Sequence, residues 1–200
     1  MKIVLVSIDD LELLNSLRGG NKAALDSIYT RYFNSLFQYG MRMLQDEDAV
    51  HDCMQDLFVN LWVKRNKLPD INNLRNYLIS SLRNGINNFR LSEKKHESVQ
   101  LNGEDHFDLK FTVESELIKK EEHNEKAVKL SVAMNKLTAR QKEIIYLRYF
   151  EEMDYSEIAG VMDMTIKGTY KLSARALESL RLIMGVDKAL VLAMLLSLKN

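Results

Sequence analysis

The sequence carries one cysteine, one proline and eight glycines among 200 residues, and its formal net charge is zero. Each shortage excludes something. A single thiol, Cys53, rules out an internal disulfide and a zinc site built from cysteines. Scarce proline and glycine, beside abundant Leu, Met, Lys, Glu and Asn, favour helix throughout. Past the first few residues no segment alternates apolar and polar positions as a half-buried strand would. Balanced charge excludes a strongly basic nucleic-acid coat and an acidic solvating tail, yet permits a local basic face offset elsewhere. Long hydrophobic runs are also missing. Ile3, Val4, Leu5 and Val6 are too few for a signal core or a membrane span, and Asp9 and Asp10 follow at once. The expectation is a cytoplasmic protein without membrane insertion.

Catalytic constellations are missing as well. There is no Ser/His/Asp or Cys/His arrangement, no phosphate-cradling glycine loop and no paired carboxylates suited to a cleft. Asp52 and Asp56 lie one helical turn apart but lack further ligands. His96, His106 and His123 fall on linker or exposed helix and read as solvated rather than metal-binding. The sequence therefore reads as no enzyme, with no cofactor, no metal and no small-molecule substrate.

What is present is helical periodicity. Asp9 or Asp10 can cap a first helix carrying Leu11, Leu13, Leu14 and Leu17, ended by Gly19 and Gly20. Residues 22–44 repeat apolar side chains at three and four positions, with Leu25, Ile28, Tyr29, Tyr32, Phe33, Leu36, Phe37, Tyr39 and Met43 reading as one buried face. A third helix, residues 49–67, follows an acidic break. It turns Val50, Cys53, Met54, Leu57, Phe58, Leu61 and Trp62 inward and Asp52, Gln55, Asp56 and Asn60 outward. A fourth, residues 71–91, sets Leu74, Tyr77, Leu78, Ile79, Leu82, Ile86 and Phe89 against a side rich in asparagine and arginine. Amides and guanidinium groups beside aromatics suit bases and phosphates; a solvated face is the plain alternative. Between residues 92 and 116 the pattern gives way to a polar linker with scattered Phe107, Leu109, Phe111 and Val113.

A second helical unit begins near Ser115. Thr138 and Gln141 form a capping box, and helices follow over residues 139–150, 155–162 and 166–184. Asp163 and Met164 make the turn before the last of these, and Thr165 caps it. That helix turns Ile166, Leu172, Leu177 and Leu180 inward, with Tyr170 as a further inward candidate, leaving Lys167, Thr169, Lys171, Ser173, Ala174 and Arg175 for an outer surface. Such a helix-turn-helix fits a major groove; a helical hairpin with a merely soluble surface is the alternative. An apolar tail from Gly185 to Leu198 is expected to pack within the molecule, since an exposed patch of that size favours aggregation; docking on a partner protein is the alternative.

Four stretches in this order carry a family resemblance: Gly19-Gly-Asn-Lys-Ala-Ala-Leu-Asp-Ser-Ile-Tyr29; Asp46-Glu-Asp-Ala-Val-His-Asp-Cys-Met-Gln-Asp-Leu-Phe-Val-Asn-Leu-Trp62; Leu74-Arg-Asn-Tyr-Leu78 with Arg83, Asn84, Asn88, Phe89 and Arg90; and Leu137-Thr-Ala-Arg-Gln-Lys-Glu143 with Tyr155-Ser-Glu-Ile-Ala159. Together they resemble the extracytoplasmic-function (ECF) group of bacterial sigma factors, in a variant frequent in Bacteroidota. The resemblance implies an all-α fold of two helical domains joined by a flexible linker, the C-terminal one a helix-turn-helix. Residues 1–92 would form the region 2 domain, 93–116 the linker, 117–184 the region 4 domain and 185–200 an apolar, helical tail. The implied function is to direct core RNA polymerase to specific promoters and to assist their opening; a stand-alone helix-turn-helix regulator is the alternative. Carried over by position, Asp52, Gln55 and Asp56 fall on the polymerase-binding surface, with Trp62 as core support. Arg83, Asn84, Asn87 and Asn88 fall where the family contacts the minus-ten element. Thr165, Lys167, Tyr170, Lys171, Ala174 and Arg175 fall on the helix that reads the minus-thirty-five element. The implied partners are core RNA polymerase and promoter DNA, with an anti-sigma factor as a further one. The family often has aspartate where Asn88 stands and tryptophan where Tyr77 stands, which leaves the promoter sequence open.

Overall fold

A computed structural model describes residues 8–96, 107–108 and 121–197. It divides into two compact units, residues 1–103 and 104–200. Every regular element among the described residues is helical, and no described helix is long and apolar enough to cross a membrane. The apolar residues 3–6, His106, Leu109, Phe111, Val113 and Leu198 lie outside the described residues, as do the side chains of Lys94, Lys95, His96 and His123.

The first unit contains α1 (Ile8–Arg18), α2 (Lys22–Leu44), α3 (Glu47–Val63) and α4 (Leu74–His96). Asp9 and Asp10 sit in the first turn of α1, where negative charge suits the helix dipole. Both pair with Arg31 of α2, and the Tyr32 hydroxyl donates to Asp10 Oδ2 at 2.7 Å. Gly20, at φ 85°, supplies the left-handed residue that closes α1. Asn21 then caps α2, accepting from the Ala23 amide at 3.0 Å. Where α2 crosses α3, a Cβ on Gly40 would lie 2.7 Å from Val50 Cγ1, so only glycine admits this approach.

Helix α3 ends sooner than its periodicity suggests. Past Val63 the chain tightens into a 3-10 turn, Arg65–Lys67, and the Arg65 guanidinium covers the Trp62 ring at 4.4 Å. Helix α4 starts at Leu74, with Asn73 Oδ1 accepting from the Asn76 amide at 3.1 Å. It continues to His96, so residues 93–96, expected in the linker, are helical. Leu36, Tyr39, Val50, Leu74, Leu78, Ile79, Leu82 and Ile86 close the core at zero exposure.

The second unit contains α5 (Glu121–Asn135), α6 (Ala139–Ile145), α7 (Tyr155–Val161), α8 (Ile166–Met184) and α9 (Lys188–Ser197). The Thr138–Gln141 capping box opens α6 as expected. The rest of the expected helix to Phe150 is a π-helical turn, Tyr146–Phe150. Asp154 and Glu157 form a second capping box ahead of α7. Gly185, at φ 66°, ends α8. The apolar tail becomes α9, which packs on α5 and α8 and buries Val191, Met194 and Leu195. Each such side chain contributes roughly 1.5–3 kcal/mol. Phe107 also joins this core: it is 2% exposed, with its ring 5.7 Å from that of Tyr146.

Candidate functional site

Three surfaces carry the residues singled out by sequence. The first is the outer side of α3. Asp46 caps the helix, accepting from the Ala49 amide at 3.1 Å, and Glu47 and Asp48 add negative charge in the first turn. Asp52, Gln55 and Asp56 are all exposed, but they face two different depressions. Gln55 borders a groove between α2 and α3 of about 420 Å³. Asp56 borders a cleft between α3 and α4 of about 580 Å³. At 100° per residue, Asp52 stands on the ridge between them.

The groove revises the reading of α2. Its fully buried stripe is Ala24, Ile28, Tyr32, Leu36, Tyr39 and Met43. Tyr29, Phe33 and Phe37, one position on, form an aromatic ladder with centroid separations of 5.1 and 5.9 Å. Phe58 meets Tyr29 edge-on at 4.9 Å, and His51 leans on Phe37 at 5.0 Å. Tyr29 is 45% exposed, and with Phe33 it floors an open groove that Phe58 joins from the core side. Trp62, expected as core support, lines the same groove and is only partly covered.

The second surface is the α3–α4 cleft. Asn84 and Asn88, one turn apart and exposed, line it from α4 together with Tyr77, Ser81 and Gly85. Asn60 and Lys64 line it from α3. Asn87 is half-buried and does not border the cleft. Arg83 is buried, at 8% exposure; its position follows Ile79 and Leu82 and precedes Ile86 on the inward face. It supports α4 from within rather than presenting a cation to solvent. Cys53 lies at the cleft wall, where burial first, then Asp56 and Asp52, push its thiol upward. A thiol so placed stays protonated and unreactive. Asn60 and Lys64 were not singled out as cleft residues by sequence; their signal is the i, i+4 polar series Asp52, Asp56, Asn60, Lys64.

The third surface is α8. Met162 and Asp163 make the turn, with Asp163 at φ 50°. Thr165 Oγ1 then accepts from the Gly168 amide at 3.1 Å, so the hydroxyl of this expected DNA contact already serves as the helix cap. Lys167, Tyr170, Lys171, Ala174 and Arg175 form the exposed stripe. Thr169 and Ser173, expected outside, are 0% and 1% exposed. Their hydroxyls make burial tolerable: Thr169 Oγ1 donates to the Thr165 carbonyl at 3.1 Å, and Ser173 Oγ lies 3.1 Å from the Tyr155 hydroxyl. Ile166 and Tyr170, read by periodicity as facing inside, are 51% and 55% exposed. Among the described residues no group of three or more His, Cys, Asp or Glu could hold a metal ion.

Two family descriptions match the chain in order: sigma-70 region 2 over residues 28–96 and sigma-70 region 4 over residues 127–180. The first spans α3, α4 and their cleft, the second α6 through most of α8. The chain is also similar to the ECF RNA polymerase sigma factor SigM of Bacillus subtilis (strain 168), at 20% identity over 158 residues, covering 78% of this chain and 93% of SigM. Among solved structures it resembles CnrH in complex with the cytosolic domain of CnrY, with a TM-score of 0.59 at 18% identity, covering 88% of this chain and 97% of that one. It also resembles the sigma factor RpoE in complex with the anti-sigma factor NepR from Bartonella quintana, with a TM-score of 0.57 at 19% identity, covering 81% and 97%. The chain belongs to the sigma-70 family, as a sigma factor of the ECF type. It is a transcription initiation factor that works by binding, not an enzyme.

Proposed function

We propose that this chain works in the cytoplasm by docking its α3 face on core RNA polymerase and offering the promoter two separate readers. The ridge of Asp52, with Gln55 and Asp56 on its flanks, meets the polymerase; acidic charge there steers assembly and fixes register. The α3–α4 cleft takes an unstacked minus-ten base, with Asn84 and Asn88 offering amides to its edge. Asn87 belongs to the rim of this surface, and Arg83 to its support. Helix α8 enters the minus-thirty-five duplex with Lys167, Tyr170, Lys171, Ala174 and Arg175, while Thr165 holds its first turn. An anti-sigma factor is a further partner by analogy with RpoE and NepR.

The observation that carries this reading is the amide-lined cleft on α4, present in the same chain as a capped, cation-bearing α8. A stand-alone helix-turn-helix regulator has no use for the first. Reconstitution tests it: the chain mixed with core polymerase and genomic DNA should give defined transcript starts. Asp52→Lys with Asp56→Lys should lower core affinity at least about a hundredfold, since like charges brought together cost several kcal/mol. Unchanged pull-down of core by that variant would remove α3 from the interface.

A further inference from the structure

Tyr170 is exposed yet packed against a neighbour on one side. Its ring lies 4.0 Å, centroid to centroid, from that of Tyr155 on the preceding helix. Tyr155 is itself held by two other groups. The Arg148 guanidinium, on the π-helical turn, sits 5.0 Å from the Tyr155 ring centroid. Arg148 Nη1 is tied down in turn, donating to the Met153 carbonyl at 2.8 Å. The Tyr155 hydroxyl meets Ser173 Oγ at 3.1 Å, on the buried stripe of α8. A cation, two rings and a buried hydroxyl thus connect the π-helical turn to the outward face of α8, and the series ends on a tyrosine that is 55% exposed.

Exposed tyrosines ordinarily sample several rotamers, and immobilising one at a contact costs binding free energy. Here that ordering is already done in the folded chain. We propose that Arg148, Tyr155 and Tyr170 form a preorganised base reader, in which Tyr155 is the positioning residue and the Tyr170 ring contacts the C5-methyl group of a thymine in the upstream duplex. The proposal rests on the assignment of α8 to the major groove. Lys167, Lys171 and Arg175 around Tyr170 suit phosphates and guanine acceptors. Tyr170 instead presents a large apolar surface, and the thymine methyl is the apolar feature the major groove displays.

The test uses the full chain with core polymerase on promoters mapped from its own transcript starts. Each thymine of the upstream element is replaced singly by deoxyuridine, which removes only the methyl group. Initiation by the unaltered chain should fall roughly fourfold at one position, the worth of one buried methyl. Tyr155→Leu and Tyr170→Ser should each erase that sensitivity, and the double variant should be no worse than either alone. Tyr155→Phe, which keeps the ring and loses the Ser173 contact, should retain it. Thermal melting separates unfolding from reading. Sensitivity that survives Tyr155→Leu overturns the proposal, as does a chain indifferent to every methyl. Should Tyr155→Leu fail to fold, sensitivity surviving both Arg148→Met and Tyr170→Ser overturns it. If Lys171→Ala and Arg175→Ala leave initiation unchanged on the same promoters, α8 is not in the groove, and the underlying assignment falls first.

Discussion

On the proposed reading, the α3–α4 cleft and the outer face of α8 hold the same kind of partner by opposite means. The cleft is concave, and amides, hydroxyls and one lysine line it beside Tyr77 and Phe89. The α8 face is convex and carries Lys167, Lys171 and Arg175. A concavity suits a single base taken out of the stack, where edge and ring contacts matter and few phosphates are met. A ridge suits an intact duplex, where cations meet phosphates and the salt dependence is steep. One chain can therefore separate melting from anchoring, because the two surfaces respond to different features of DNA.

Filling the cleft should break the comparison hardest. Gly85 lies within α4, and a Cβ there meets nothing within 4 Å. A glycine inside a helix costs roughly 0.5–1 kcal/mol relative to alanine, and no packing here requires it. Gly85→Leu should therefore leave the melting temperature unchanged or higher. Its side chain would occupy the cleft, and promoter opening should fall about 10–100-fold, the range expected for losing one stacked base. Run-off transcription beside thermal melting checks both halves.

Salt should sharpen the comparison. Lys171→Ala or Arg175→Ala should each reduce the slope of log affinity against log salt for upstream duplex by about one. Asn84→Ala should weaken fork-DNA binding and leave that slope unchanged. A titration of potassium chloride against the polymerase-bound factor distinguishes the two.

The smallest effect concerns the scaffold of one surface only. The Asp154 carboxyl is held below the ordinary carboxylate range, first by the Ser156 hydroxyl and then by the Glu157 amide. A depressed carboxylate contributes stability that is present above its unfolded pKa and is lost as pH falls through its folded one. Asp154→Ala should cost the second unit about 1 kcal/mol at neutral pH, and less as the medium is acidified below the ordinary carboxylate pKa. Denaturant melts of the second unit, followed by a probe on α7, would show it.

Much of this was legible in the sequence, and what was not has identifiable causes. Helix positions and caps were legible because Thr138–Gln141, Thr165 and the glycines at 19–20 are local signals. The outward stripe of α8 was legible except at Ile166, read as inward but exposed, and at Thr169 and Ser173. Polarity argued for solvent there, but each hydroxyl found a partner inside, which a one-dimensional pattern does not reveal. Arg83 misled for a related reason: a cation among asparagines reads as surface, whereas its helical phase beside Ile79 and Ile86 is inward. Tyr29, Phe33 and Phe37 sit only 100° from the buried stripe of α2, and periodicity does not tell which edge of a wide apolar face a neighbour covers. The α3–α4 cleft needs two helices at once, so Asn60 and Lys64 joined Asn84 and Asn88 only in three dimensions. The Arg148–Tyr155–Tyr170 series likewise depends on a π-helical turn that no residue pattern announced.

The separation of a base-accepting cleft from a duplex-reading ridge is tested most directly by 2-aminopurine placed singly through the non-template minus-ten strand. With the unaltered chain and core polymerase, one position should brighten as its base leaves the stack. With Gly85→Leu that brightening should vanish while the upstream duplex stays protected in a footprint. Brightening that persists with the cleft filled, or upstream protection lost together with it, would contradict the account.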